Sequence, residues 1–546
     1  MKVVYAEEMQ RIDRYAIETM GIPGEVLMGF AGKAAAEIVT DYAGEGSRVA
    51  VVCGCGNNGG DGFVIAYLLR NSGYDTEIFL AGAEEKISPS SRIYYNVCVN
   101  SDIPLRVIAG DSVPDDIDFS EFDIVVDSMF GTGFTGSPRG AAGELIALIN
   151  RSGSVVISID LPSGLPSNGG SPEGAVVQAD CTVTMGLPKL SCVTYPGLRY
   201  TGDLHVADIG FPAFLTESDD LKMELVDDEY ARQRLGLRRE TDTHKGAAGH
   251  LLLVGGFDGM EGAIMLSAMA AFETGVGLGT LLTTGKARSV IAGKIPELIT
   301  ASFPDIDEAA QEFSGIISDG IAGADEKVVR LYEAVRESCG RFFQGRGSFG
   351  AMLIGPGMGR SILSAQVFTV LMNSLEPFGI ERVLVDGDGL YHLAEYLKKQ
   401  PLPECAEFIL TPHFLEASRL SGESVDVIKK NRPAAAMELG RSTGATVLLK
   451  GPATLVSDGV HLLINTTGNP ALATAGSGDV LSGIIASLML RDLSLLEAGG
   501  IGAFLHGRAA DLFVADNDGI EIMKSSDTIG YIREAAAGTG DEQPDY

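Results

Sequence analysis

The chain has 546 residues, 45% hydrophobic and 21% charged, ample apolar material for buried cores, which excludes disorder for most of its length. That length exceeds one ordinary core and predicts two large α/β domains. A net charge of -32 opposes binding to nucleic acid and to anionic membrane surfaces, since both require basic groups to displace counterions, but it leaves open a small anion held by backbone amides.

Cys53, Cys55, Cys98, Cys181, Cys192, Cys339 and Cys405 are scattered, with no CxxC pair and no His-rich cluster, so neither a zinc site nor a disulfide framework is expected. The start of the chain has no apolar signal region, and no apolar run of about 20 residues follows. These features predict a cytoplasmic protein in a reducing compartment.

Residues 6–42 show helical spacing broken at Gly21-Ile22-Pro23-Gly24, so a helical pair opens the chain. Arg48-Val49-Ala50-Val51-Val52-Cys53 reads as a buried strand, followed by the loop Gly54-Cys55-Gly56-Asn57-Asn58-Gly59-Gly60-Asp61-Gly62 and a helix over residues 63–70. Strand, glycine loop and helix in that order form the phosphate-cradling corner of a doubly wound sheet, although the loop is not the GxGxxG fingerprint. Asn57, Asn58 and Asp61 add side-chain oxygens, so the loop is able to hold a hard or alkali cation as well as a phosphate. A tight turn using Asn and Gly for positive φ is the plainer account.

Residues 122–127 and 154–160 are two further buried strands, ending in Ser128-Met129-Phe130-Gly131-Thr132-Gly133-Phe134-Thr135-Gly136 and Leu161-Pro162-Ser163-Gly164-Leu165. Ligands of open α/β sheets bind at the carboxyl ends of strands, so the three loops are expected to converge on one site. Asp160 is a candidate for acid/base work there, and Asn58, Asp127 and Ser163 for holding an ion; caps of strand ends are the structural alternative. Ser163 lacks the G-x-S-x-G elbow and a partner histidine, which excludes a hydrolase nucleophile. Residues 181–185 and 203–208 look like closing strands. Lys189 between them is either a phosphate contact or a solvated surface lysine.

The set Gly56-Asn57-Asn58-Gly59-Gly60-Asp61-Gly62, Asp127 with Phe130-Gly131-Thr132-Gly133, Asp160-Leu161-Pro162-Ser163-Gly164 and Gly186-Leu187-Pro188-Lys189 resembles the NAD(P)H-hydrate epimerase family over residues 1–215. The resemblance implies that Asn57, Asn58, Gly59, Gly60 and Asp61, with Gly131, Thr132, Gly133, Phe134, Thr135, Gly136 and Ser137, bind the hydrated nucleotide. It places potassium (K⁺) ligands on Asn58, Asp127 and Ser163, and the substrate-binding acid on Asp160.

Residues 212–240 lose this pattern and form the expected joint. From Gly249-His250-Leu251-Leu252-Leu253-Val254-Gly255-Gly256 a second strand-turn-helix series begins, with a helix over 261–274 and strands over 351–355, 382–386, 407–411 and 446–450. That alternation predicts a mostly parallel, three-layer sheet. Residues 302–350 read as variable excursions, and the small, acidic tail 535–546 as disordered.

Strand ends again carry unusual residues: Gly355-Pro356-Gly357-Met358-Gly359, Asp386-Gly387-Asp388-Gly389, Thr411-Pro412-His413 and Lys450-Gly451-Pro452-Ala453-Thr454. Lys450 is suited to neutralise a nucleotide phosphate, and Thr454 to add a hydroxyl donor. His413 is either a substrate contact or structural. The last such feature is Gly476-Ser477-Gly478-Asp479, before an apolar helix over 480–490. A helix entered through glycines exposes unpaired N–H groups at its positive end, forming an anion hole. Asp479 beside it is expected to stay ionised, as a base requires; an ordinary capped turn is the alternative.

With residues 469–483, these motifs resemble the ribokinase superfamily, and more closely its ADP-dependent NAD(P)H-hydrate dehydratase branch, over residues 235–535. The resemblance implies hydrate contacts at Ala263, Gly357, His413 and Asp479, and nucleotide contacts at Lys450, Gly451, Pro452, Ala453, Thr454, Gly476, Ser477 and Gly478. Phe257, Phe414, Leu415 and Ala471 depart from the usual pattern of small residues, Pro and Gly around the pocket.

The expected architecture is therefore α/β with two three-layer domains, an N-terminal Rossmann-like doubly wound sheet and a C-terminal ribokinase-like sheet. The resemblances imply repair of hydrated NADH and NADPH (NADHX, NADPHX). The first domain interconverts the R and S epimers with K⁺, and the second dehydrates the S form with ADP and Mg²⁺, Asp160 and Asp479 being the catalytic acids. A homo-oligomer is expected, without nucleic-acid or membrane partners. A kinase for a small alcohol would use the same anion hole and acid, and the first domain alone could also be a binding module.

Overall fold

The computed structural model describes residues 1–235, 249–303, 324–346 and 348–538. Two compact units divide the chain, Met1–Glu224 and Leu225–Tyr546. In the first unit a short strand β1 (Lys2–Val3) precedes the helices Ala6–Arg14 and Gly24–Tyr42, separated by a π-helical turn and the Gly21 to Gly24 break. Then come β2 (Arg48–Cys53), β3 (Asp75–Ala81), β4 (Leu105–Ile108), β5 (Ile124–Ser128), β6 (Val155–Ile159), β7 (Cys181–Met185) and β8 (Asp203–Ala207), with β9 (Met223–Leu225) pairing antiparallel to β1.

Strands β2 to β8 form a parallel sheet in the order β4-β3-β2-β5-β6-β7-β8. The chain runs outward from β2 to β4 and returns to β5 on the other side of β2. This reversal opens a crevice at the carboxyl ends of β2 and β5, where the two glycine loops lie. Successive β2 side chains point to opposite faces. Val49, Val51 and Cys53 join Phe63, Ile65 and Leu69 in one core, whereas Ala50 and Val52 join Leu145 and Ile149 in the other. Both faces being covered explains the unbroken apolar run in the sequence.

In the second unit β10 (His250–Val254), β11 (Leu278–Thr283), β12 (Leu298–Ser302), β13 (Ala351–Ile354), β14 (Arg382–Val385), β15 (Glu407–Leu410), β16 (Thr446–Leu449), β17 (Thr454–Ser457) and β18 (Leu462–Asn465) lie in the order β18-β17-β16-β15-β14-β13-β10-β11-β12. All adjacent pairs are parallel except β16–β17 and β17–β18, an antiparallel edge. The order again reverses at one point, between β10 and β13, and the loops after these strands bond together: Gly256 N–H donates to Pro356 O and Phe257 N–H to Gly357 O, each at 2.8 Å.

Two expectations change in this unit. The stretch 302–350 contains a regular helix, Ala324–Phe343, while 304–323 and 347 lie outside the described residues; of the tail, residues 535–537 end the helix Ser525–Ala537, and 539–546 lie outside. Residues 236–248 of the expected joint lie outside as well. Among the described residues no helix is long and apolar enough to cross a membrane.

Candidate active sites

The first site begins with a correction. The helix expected from Phe63 starts at Asn57 and runs Asn57–Asn71, with Gly56 as its N-cap. The glycine-asparagine loop is thus the helix's first turns, and its small residues let that helix press on the sheet. A Cβ at Gly59 would overlap the Gly54 carbonyl oxygen, and one at Gly60 would lie 2.5 Å from Met28 Cε and Ser91 Oγ. Gly60 N–H already donates to Gly56 O. Gly59 and Gly60, where the resemblance implies nucleotide contacts, are placed for close packing and do not line the neighbouring cavity.

A cavity of about 620 Å³ opens beside this turn, lined by Asn57, Asn58, Asp61, residues 130–134 and Asp160. A second, of about 520 Å³, shares Thr132, Gly133 and Phe134 and adds Thr135 and Gly136. Ser137 lines neither; its hydroxyl is turned toward Gly174. Phe130 and Phe134 stack with ring centroids 4.4 Å apart.

Asp160 has a left-handed backbone, φ +67°, a strained state for a residue with a side chain, and it is 8% exposed. One carboxylate oxygen, Oδ2, accepts Thr132 N–H at 2.9 Å, and the other, Oδ1, lies 2.5 Å from Lys189 Nζ. Lys189 is only 1% exposed, neither a surface lysine nor a free phosphate contact. Its ammonium also donates to Thr184 Oγ1 at 3.0 Å and Met185 O at 2.9 Å. The sequence did not reveal this pair, because the partners are 29 residues apart and meet only across adjacent strand ends.

The ion-binding candidates also converge. Asp127 is buried and accepts Ser163 Oγ–H at 2.6 Å, Ser163 N–H at 2.8 Å and Ser158 Oγ–H at 2.9 Å. Burial nevertheless raises its carboxyl above the usual range, with these hydrogen bonds opposing. Asn58 Nδ2 donates to Ile159 O at 3.1 Å, while its buried Oδ1 has no hydrogen-bond partner. An orphaned amide oxygen, a buried carboxylate and a hydroxyl make a donor set that fits a weakly hydrated cation.

The second site is built on the helix Ser477–Leu488, entered through Gly476 at φ +88°. Gly483 lets this helix lie against Glu261–Thr274, since a Cβ there would overlap the Ser267 carbonyl oxygen. Ser267 Oγ–H then donates to Asp479 O at 2.9 Å, fixing the first turn. Lys450 Nζ lies 3.0 Å from the point where a Cβ on Gly478 would sit, so β16 delivers its ammonium to the anion hole.

Asp386, at the end of β14, holds the site together and was not assigned from sequence. It receives Lys450 Nζ at 2.5 Å, Ser482 Oγ–H at 2.6 Å and Thr411 Oγ1–H at 2.7 Å. Burial alone would raise its carboxyl, but Lys450 and these donors hold it below the usual range. Asp388 accepts Gly359 N–H at 2.9 Å and pairs with Arg360 at 3.0 Å, positioning the Gly357 loop.

Asp479 corrects the expectation of a carboxylate kept ionised by a positive field. Burial, then the negative charge of Asp386, raises its carboxyl to about 7, with Lys450 opposing. The helix end is positive, but two neighbouring carboxylates and lost hydration outweigh it.

Gly357 and Ala263 are neighbours, a Cβ on the former lying 3.1 Å from the Ala263 methyl. His413 caps the helix Phe414–Ser421: its Nδ1 accepts Leu415 N–H at 3.1 Å and Glu416 N–H at 3.2 Å. Nε2 therefore carries the ring proton and lies 3.4 Å from Glu416 Oε1, on a side chain that is 53% exposed. Thr454 is not the spare donor expected, since its hydroxyl donates to Gly451 O at 2.9 Å. Arg432 instead holds this loop, through the carbonyls of Pro452 and Ala453.

Ser477 is buried, its Oγ 3.4 Å from His506 Nε2; burial lowers that imidazole to about 4, so it is neutral. The departing residues find local partners. Phe257 packs edge-on to Phe303 at 6.1 Å, Phe414 lies against Gly451 beneath Arg432, half-exposed Leu415 flanks it, and Ala471 is buried with Ala510 and Met523.

The family model described as NAD(P)H-hydrate dehydratase matches residues 251–533, and that described as YjeF-related protein N-terminus matches residues 24–191. The chain is 35% identical over 541 residues to the bifunctional NAD(P)H-hydrate repair enzyme Nnr of Thermofilum pendens, covering 98% of this chain and 96% of that one. It is 30% identical to the protein of the same name in Escherichia coli, covering 94% and 90%. A solved structure, ADP/ATP-dependent NAD(P)H-hydrate dehydratase from Bacillus subtilis co-crystallised with ATP and Mg²⁺, is similar at 23% identity with a TM-score of 0.45, covering 57% of this chain and 96% of that one. Matched along nearly its whole length, the chain belongs to the family of bifunctional NAD(P)H-hydrate repair enzymes.

Proposed function

We propose that residues 1–215 epimerise hydrated NADH and NADPH at the Asp160 site, and that residues 235–535 dehydrate the S epimer at the Asp479 site with ADP as phosphoryl donor, giving NAD(P)H, AMP and phosphate. The observation that carries this is the presence in one chain of two strand-end sites, one holding a buried Asp160–Lys189 pair and the other Asp479 on a glycine-entered helix beside Lys450. A base titrating near neutrality matches proton removal from an alcohol better than a fully acidic carboxylate.

In the second site Asp479 takes the proton of the ring hydroxyl as that oxygen attacks the terminal phosphoryl group. The N–H groups of Gly476, Ser477 and Gly478 and the Lys450 ammonium face the developing charge. Loss of phosphate then restores the ring double bond. His413, Gly357 and Ala263 contact the hydrate, and the segment from Lys450 to Thr454 contacts the nucleotide. Mg²⁺ bound to the nucleotide phosphates would offset their charge.

In the first site the nucleotide lies along Asn57, Asn58, Asp61 and residues 131–136, and Asp160 handles a proton at the hydrated carbon. The orphaned Asn58 oxygen, with Asp127 and Ser163, would hold K⁺, which supplies a fixed positive charge near the substrate. A cytoplasmic setting and a homo-oligomer are part of the same proposal.

The test is incubation of the whole protein with mixed hydrate epimers and ADP or ATP. Complete return of reduced-nicotinamide absorbance with release of phosphate is expected. A stable phosphorylated product would point to a kinase, and a plateau when the S epimer is spent would rule out the first activity. Asp160→Asn should reproduce that plateau; unaffected conversion of the R epimer would show that another acid acts.

A further inference from the structure

Asp13 stands on the helix Ala6–Arg14 and lines the same cavity as Cys55, Asp61, Asp160 and Lys189, the other titratable groups that face it. Sequence motifs do not mark it, because it lies in the opening helix, far from every glycine loop. The hydrogen bonds of the cavity leave it idle. Lys189 has three protons and spends them on Asp160 Oδ1, Thr184 Oγ1 and Met185 O. Asp160 has one oxygen held by Lys189 and the other by Thr132 N–H. Asp13, by contrast, makes no hydrogen bond or ion pair among the described residues, although it faces the cavity. Burial raises its carboxyl above the usual range, Lys189 opposing and Asp160 adding. An unpaired carboxyl that faces the cavity is placed to give a proton to a ligand there, beside a carboxylate anchored by Lys189 and Thr132, a division of roles that environment can impose on two aspartates.

Granted the epimerase proposal above, on which this rests, we infer that Asp13 is a second catalytic residue of the first site, acting as the acid to Asp160's base. The hydrated ring carbon bears a hydroxyl and the ring nitrogen. Asp13 gives its proton to that hydroxyl, the C–O bond breaks with its electron pair leaving on water, and the nitrogen lone pair forms the C=N bond of a cyclic iminium ion. Water adds to the opposite face of the same carbon, the C=N π pair returns to nitrogen, and the extra proton passes to Asp160. Exchange with solvent resets both groups, and no other reactant is consumed. In the reverse direction the two aspartates exchange roles, and the Asp160 carboxylate faces the cation between the steps.

The experiment uses the whole chain, one purified epimer of hydrated NADH and no nucleoside diphosphate, with epimer ratios read by chromatography. Asp13→Asn is expected to lower kcat by roughly 10²- to 10⁴-fold, to keep KM within about threefold, and to remove the high-pH decline of kcat that loss of a neutral acid produces. An unchanged kcat, or a rise in KM alone, would overturn the assignment. Should that variant not fold, the wild-type profile decides: a kcat that does not fall at high pH excludes a neutral acid. A wild-type protein that leaves the epimer unchanged would instead defeat the epimerase proposal itself.

Discussion

Asp479 and Lys189 show how burial sets the chemistry of single residues. Because the Asp479 carboxyl titrates near 7, kcat/KM for dehydration should rise about tenfold per pH unit below that value and level off above it. Asp386→Asn removes a neighbouring negative charge and should move this limb toward acid; a limb that stays in place would mean Asp386 does not set it. The same shift acts on stability. The folded-state value lies above the ordinary 3.8, so stability is full below about pH 4 and lost as pH rises through about 7. Asp479→Asn should therefore abolish dehydration yet stabilise the second unit at pH 8, on the order of 1–3 kcal/mol, with no gain at pH 4. Urea unfolding at the two pH values would check it. Lys189→Met leaves Asp160 buried without its cation and should cost about 3–5 kcal/mol of stability in the first unit, read the same way.

The helices that carry the sites depend on glycines placed for contact. Gly59→Ala sets a Cβ against the Gly54 carbonyl, backbone against backbone, and should destabilise the first unit by about 1–3 kcal/mol while displacing Asn58. Normal thermal stability with normal epimerisation would contradict that packing. Some elements were legible in the sequence: β2, β7 and the helix Glu261–Thr274 have the expected limits because glycine or a charged residue bounds each of them. Strands β3, β4, β11 and β12 were not named. Asp75, Glu77, Arg106 and Gly279 interrupt their patterns, as outer positions in a sheet allow. The early start of Asn57–Asn71 was hidden for a different reason, since Asn and Gly have poor helix propensity and only packing against the sheet makes them helical.

For the whole molecule, two sites with different requirements imply separable activities. Replacing K⁺ by a bulky quaternary ammonium ion should slow epimerisation and spare dehydration of the S epimer, while EDTA should do the reverse; loss of both under either treatment would argue against the assignment. The sequence by itself determined two α/β halves, the glycine loops at strand ends, and Asn58, Asp127, Asp160, Lys450 and Asp479 as the residues to watch, because loop composition and strand periodicity are local properties. Only the tertiary structure decided what those residues are chemically. The Asp160–Lys189 pair, the Asp386 hub, the idle Asp13 and the raised Asp479 carboxyl all arise from groups far apart in the chain that meet in low dielectric, where charge state depends on neighbours and burial that no stretch of sequence contains.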